Sequence, residues 1–123
     1  MYKVALVDDH TLLSEAIAGL VRQFENFDVV NISVNGREFI NYLESLGALQ
    51  PDIVLMDVKM PVMGGIEATK YLTKHYPDIK VLALSIEEEE HVVMQMIRSG
   101  AKGYLLKDTR KSILEQALNE LIN

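Results

Sequence analysis

Residues 53–61 read IVLMDVKMP, so four apolar residues run straight into the carboxylate of Asp57. A carboxylate at the edge of a core costs desolvation energy unless a positive charge compensates it. Two more acids, Asp8 and Asp9, follow a second apolar run at 4–7. Three carboxylates brought together repel, and a protein relieves that repulsion by holding a proton or by binding a cation. A divalent ion is the simpler answer. Oxygen ligands with no Cys or His at matching spacing favour Mg2+, which takes few carboxylates, keeps waters and accepts a phosphate oxygen as a further ligand. Lys107 would supply a flexible point charge suited to phosphate and Ser85 a hydroxyl donor. Asp57 is then left as the nucleophile, because an aspartate carboxylate can take a phosphoryl group to form an acyl phosphate.

This chemistry requires one scaffold to bring the five side chains together. Short apolar strands at 3–7, 28–33, 53–56, 81–85 and 103–106 alternate with helical patterns, the signature of βαβ units on a parallel sheet. Leu12, Leu13, Ala16, Ile17, Leu20, Val21 and Phe24 form one core stripe, and Ile113, Leu114, Ala117, Leu118, Leu121 and Ile122 another. Val92, Val93, Met96 and Ile97 read as a third. Asn35 with Glu38 has capping-box spacing, and Gly47, Pro77 and Gly100 stand where helices should have ended. Asp8, Asp9, Asp57, Ser85 and Lys107 all fall at carboxyl ends of strands, the edge of an open α/β sheet where ligands bind. Taken singly the residues have plainer uses: Asp8 or Asp9 suits a helix N-cap, Ser85 with Glu88 a capping box, and Lys107 a solvated surface. The convergence is what those uses leave unexplained.

The composition excludes several classes. At 123 residues the chain is one domain, and 49% hydrophobic with 24% charged residues is ordinary for a globular protein. There is no cysteine, which removes disulfides, zinc-thiolate sites and thiol catalysis. The apolar run at 4–7 is too short for a signal peptide or a membrane span, so the chain reads as cytoplasmic with no membrane partner. Twelve Lys and Arg against eighteen Asp and Glu, a net charge of −6, argue against this piece holding a nucleic-acid backbone by itself. An aspartyl-phosphate hydrolase of the haloacid dehalogenase type would carry D-x-D where Asp8-Asp9-His10 stands. A flavin or nucleotide module would need a Gly-, Ser- or Thr-rich loop in place of DDHTLL. His10, His75 and His91 lack mutual ligand spacing and are assigned surface or packing roles, and the acidic run 87–90 a solvated helix N-terminus.

VDDH at 7–10, LMDVKMPVMGG at 55–65, LALS at 82–85 and GAKGYLLKD at 100–108 together resemble a response regulator receiver domain of two-component signalling, over essentially the whole chain. His10 after the acidic pair and Asp108 after the lysine resemble the NarL/LuxR-type branch. The resemblance implies a flavodoxin-like (βα)5 fold, its parallel sheet in order 2-1-3-4-5 with helices on both faces. It also implies a sensor histidine kinase as phosphodonor, and Mg2+ bound by Asp9 and Asp57 with help from Asp8 and the Lys59 backbone carbonyl. Ser85 and Lys107 would contact the phosphoryl group. Such a protein catalyses only its own phosphorylation and dephosphorylation. Its output is transcriptional, with DNA engaged only through a helix-turn-helix domain following residues 1–123; the alternative is a stand-alone receiver working by protein–protein contact.

Three positions depart from the commonest family pattern. Gly64 stands where an aspartate is frequent, Ile86 follows Ser85 where a small residue is usual, and Asp108 replaces a proline, removing the usual reason for a cis bond after Lys107. Bulky Ile86 is expected to obstruct access to Asp57. Lys59 and Glu87, two residues past Asp57 and Ser85, would pair at the rim and lengthen the life of the phosphoryl group. Ser85 and Tyr104 are expected to form the switch: the hydroxyl moves toward the phosphoryl group and the ring turns into the space it leaves. The reshaped face carries Arg98, Lys102, Arg110 and Lys111 near the acidic run 87–90, which suits a homodimer formed on phosphorylation.

Overall fold

The structure is a computed structural model describing residues 1–86 and 90–123. Along the chain come β1 (Tyr2–Val7), α1 (Thr11–Gln23), β2 (Phe27–Ser33), α2 (Gly36–Leu43), β3 (Ile53–Asp57), α3 (Gly65–His75), β4 (Lys80–Ser85), α4 (Glu90–Arg98), β5 (Gly103–Leu106) and α5 (Lys111–Ile122). The strands pair in parallel in the order β2-β1-β3-β4-β5. Every expected strand is present. β1, β2 and β4 each begin one residue earlier than the apolar runs suggest, and β3 continues through Asp57, whose backbone pairs with Leu84.

The central strands are apolar throughout because both sheet faces are covered. Ala5 and Val7 of β1 face one layer with Phe39, Ile40, Ala68, Leu72 and Met96, from α2, α3 and α4. Val4 and Leu6 face the other with Ile17, Ala18, Val21, Leu114 and Leu118, from α1 and α5. Three expected stripes need correction, that of α5 only at Ile113, which is 41% exposed. On α1, Leu12 is 85% exposed and Ala16 is exposed, while Ser14 and Ala18 are buried instead. The helix starts only at Thr11, so Leu12 falls in a first turn that projects past the sheet. On α4 only Met96 is fully buried, with Val92 and Val93 half-buried and Ile97 exposed. That helix lies toward the β5 margin of the sheet, whose edge strand is itself only half-buried.

Local signals are met where side chains cap. The Asn35 side chain accepts the Glu38 N–H at 2.9 Å, and Glu38 reaches back to the N–H of Val34 at 3.3 Å. Gly47 and Gly100 follow α2 and α4 with φ of 79° and 118°. Val62 adopts φ 68° in a three-residue turn closed by Met63 N–H to the Pro61 carbonyl at 2.8 Å. A β-branched residue is costly there. The turn is held because the Met63 carbonyl accepts Gly36 N–H at 2.9 Å and the Val58 carbonyl accepts Gly65 N–H at 2.8 Å.

At the amino edge of the sheet, Asp52 accepts the Lys3 N–H on its carboxylate and donates its own N–H to the Lys3 carbonyl, both at 2.7 Å. The neighbouring Lys80 ammonium donates to the carbonyl of Leu121 in the last turn of α5. No peptide bond among the described residues is cis, so Lys107–Asp108 is trans. No helix among them is long and apolar enough to cross a membrane.

Candidate functional site

β1 and β3 are adjacent and in register, Val7 beside Met56, so the residues after Val7 and the end of β3 emerge side by side at the carboxyl edge. Asp8 N–H donates to the Ser33 carbonyl at 3.0 Å, which draws that carboxylate inward, while Asp9 stays exposed. Asp57 is 5% exposed, and its Oδ1 accepts the N–H of Val58 at 2.8 Å. From the end of β5 the Lys107 ammonium reaches across, 2.7 Å from Asp8 Oδ2 and 3.2 Å from Asp57 Oδ2. Its N–H to the Ser85 carbonyl, 2.9 Å, fixes where that strand end lies. Above the carboxylates opens a cleft of about 280 Å3 that Ser85, Ile86 and Lys59 help to line, with Ile86 67% exposed at its mouth.

Burial and then the charge of Asp8 push the Asp57 carboxyl up to about 6, against the pull of Lys107. Asp8 shifts the other way: burial raises it, but the Lys107 ammonium beside it and its contacts with His10 outweigh that and leave it below the usual carboxylate range. The pair thus divides unequally, with Asp8 ionised against Lys107 and Asp57 holding its proton up to about pH 6. Fully ionised, Asp8, Asp9 and Asp57 against Lys107 leave two negative charges uncompensated. Asp57 Oδ2 and Asp8 Oδ2 are shut off from solvent and, among the described residues, meet no donor in hydrogen-bond geometry, only the Lys107 charge. One ligand atom each from Asp8, Asp9, His10 and Asp57 lies within 4.8 Å of the others. This donor set fits a hard divalent cation.

Asp8, Asp9, Asp57 and Lys107 are therefore brought together as expected from their strand ends, and Ser85 and Lys59 border the same cleft. Tyr104 pairs with Ala83, two residues from Ser85 on the same strand, so ring and hydroxyl share a sheet face. Glu87 lies outside the described residues, and with it the expected pair with Lys59. The helix-cap use of the acids is not what the fold adopts: α1 is capped at His10, and Asp8 instead accepts the His10 N–H at 2.9 Å.

His10 is the residue that spacing missed. It is exposed, as expected, yet its Nδ1 stands 3.0 Å from Asp8 Oδ1, 3.6 Å from Asp9 Oδ1, 4.0 Å from Asp57 Oδ2 and 3.1 Å from Lys107 Nζ. Its signal in the sequence is not spacing against other histidines but its place directly after two acids at a strand end. His75 does pack, its ring 4.3 Å from that of Tyr71.

The family model described as the response regulator receiver domain matches residues 4–119. Transcriptional regulatory protein DegU of Brevibacillus brevis is 37% identical over 116 residues, 94% of this chain and 48% of that protein. Response regulator GacA of Pseudomonas syringae pv. syringae is 38% identical over 118 residues, 96% of this chain and 54% of that one. The chain thus spans about half the length of the curated relatives it matches. Among solved structures, a two-component response regulator of the LuxR family from Aurantimonas sp. superposes with TM-score 0.86 at 28% identity, covering 98% of this chain and 84% of the other. The signal receiver domain of the response regulator NarL from Mycobacterium tuberculosis gives 0.85 at 28% identity, covering 97% and 94%.

Proposed function

The chain belongs to the response regulator receiver domain family, in its NarL/LuxR branch, and on that footing we propose that it is a cytoplasmic signalling switch whose Asp57 takes a phosphoryl group from a sensor histidine kinase. The observation that carries this reading is the state of Asp57. It is buried, held at Oδ1 by Val58, has Oδ2 beside Lys107, and lies in the wall of the cleft. The ionised Asp57 carboxylate forms an O–P bond as the donor's P–N bond breaks, and the imidazole leaves neutral, taking its proton from solvent. Lys107 stands where it can balance charge on the arriving phosphoryl oxygens, and Ser85 where its hydroxyl can donate to one of them. Asp9 and Asp57, with Asp8 and the Lys59 backbone carbonyl, would hold Mg2+, which when bound neutralises charge on the carboxylates and the phosphoryl oxygens. Incubation with acetyl phosphate and Mg2+ should add one phosphoryl mass to the intact protein, and none to Asp57→Ala or in the presence of a chelator. An equal gain by Asp57→Ala would overturn the assignment.

Ser85 and Tyr104 convert that modification into a changed surface, and the changed surface pairs two receivers to control transcription. Their shared sheet face supports this, as do the exposed Arg98, Lys102, Arg110 and Lys111 along α4, β5 and α5. Inverting a 1:99 equilibrium takes ~5.5 kcal/mol, whereas one charge-assisted hydrogen bond contributes only ~1.5 to 3 kcal/mol. Dimer contacts therefore make up the difference. Sedimentation with Mg2+ and beryllofluoride should show wild type doubling in mass, with the response lost in Ser85→Ala and Tyr104→Ala. A wild type that stays monomeric refutes the dimer, and variants that respond like wild type refute the switch.

A further inference from the structure

We propose that His10 is a ligand of the divalent-cation site through Nδ1, so that this receiver favours the later first-row ions that accept imidazole, Co2+ among them, over Mg2+. The proposal rests on the reading of the acidic cluster as a metal site and adds to it a nitrogen donor. Around an ion with bonds of ~2.1 Å, neighbouring ligand atoms stand ~3.0 Å apart and opposite ones ~4.2 Å. His10 Nδ1 lies 3.0, 3.6 and 4.0 Å from one oxygen each of Asp8, Asp9 and Asp57, within that range for all three. The four ligand atoms, one from each residue, lie within 4.8 Å of one another, so small side-chain shifts close them on one ion.

The hydrogen bonding around Nδ1 points the same way. A neutral imidazole nitrogen either donates or accepts. Nδ1 faces the acceptor Asp8 Oδ1 at 3.0 Å and the donor Lys107 Nζ at 3.1 Å, so either tautomer satisfies one contact and opposes the other. A cation on the Nδ1 lone pair, with the proton on Nε2, makes the Asp8 contact one between ligands of the same ion and leaves the Lys107 ammonium to Asp8 Oδ2 and Asp57 Oδ2. The ring is not otherwise engaged, since His10 caps α1 without a side-chain hydrogen bond, and with its side chain 54% exposed Nε2 can reach water. Imidazole suits the later first-row ions and contributes little toward Mg2+, for which carboxylates and water are the natural ligands. The same residue therefore separates metals that an all-oxygen site ranks less sharply.

The test uses protein carrying 15N only in histidine, loaded with Mn2+ and observed by electron spin echo modulation, together with calorimetric titration of Co2+ and Mg2+. Wild type should show a 15N coupling that His10→Gln lacks. Losing even an outer-shell partner costs ~10- to 100-fold in metal affinity, so His10→Gln should lower the Co2+ to Mg2+ affinity ratio at least about tenfold. Retained Mg2+ binding in the variant shows that it is folded. Mn2+ bound without histidine coupling, or an unchanged ratio, overturns the role of His10 and leaves the acidic metal site standing. Failure of every ion to bind wild type removes the metal-site reading and this proposal with it.

Discussion

Metal-free Asp57→Asn will be more stable than wild type at pH 7.5, by ~2 to 3 kcal/mol. The unfolded carboxyl ionises at 3.8 and the folded one at about 6, raised by burial and by Asp8. Below 3.8 both states are protonated and the wild type carries no penalty. Between 3.8 and about 6 the unfolded chain has released a proton that the folded one retains, so stability falls as pH rises. Above about 6 the penalty is complete, roughly two pH units at ~1.4 kcal/mol each. Asparagine keeps an oxygen for the Val58 N–H without the charge, and Lys107 keeps Asp8 as its partner. In a chain of this size the gain is worth roughly 10 °C in Tm. Thermal melts with a chelator should show the gain at pH 7.5, its disappearance near pH 4, and its reduction when Mg2+ is restored. A gain that is independent of pH would place its cause outside the Asp57 charge.

The opposite effect, and a larger one, is expected from Gly65→Ala at the start of α3. A Cβ built there would stand 2.0 Å from the Asp57 carbonyl oxygen and 3.0 Å from the Val58 Cα. Neither can swing aside as a side-chain tip could, because both belong to the backbone that delivers Asp57 to the cleft. Overpacking a buried site costs ~1 to 3 kcal/mol and more where the neighbour is rigid, so a loss of at least ~3 kcal/mol is expected, with slower phosphoryl uptake in whatever folds. Gly64→Ala is the informative companion. Its φ of −80° suits any residue and its Cβ would meet the Val58 carbonyl oxygen at 3.1 Å, a tight contact that small adjustments relieve, so it should cost about 1 kcal/mol or less. Equal losses in the two variants would rule out the carbonyl clash as the cause.

Much of the scaffold is legible in the residues because the central strands are buried on both faces and so appear as unbroken apolar runs. Their limits were missed by one residue for a physical reason: Lys80 and Asp57 have polar side chains, but their backbones still pair with Ile53 and Leu84. Strand order was reached through family resemblance alone. The site was legible because Asp8, Asp9, Asp57 and Lys107 each end an apolar run, and the sheet edge does the rest. His10 and Leu12 were misjudged together. Periodicity shows which helix faces are apolar but not where the helix begins relative to the sheet, and a start at Thr11 turns His10 into the carboxylates and Leu12 into solvent. The left-handed Val62 has no trace in its own side chain, since it is imposed by the turn between Pro61 and Gly65.

The ties that Asp52 and Lys80 make at the amino edge differ in kind from those at the carboxyl edge. At one end β1, the β3 approach, β4 and the foot of α5 are clasped by directed bonds. At the other, Asp8 and Asp57 are tied through one shared ammonium, that of Lys107. A change of charge at Asp57 therefore acts first on Asp8 and Lys107, while the ties at the amino edge share no group with the cleft, so the two edges of one sheet answer to different chemistry.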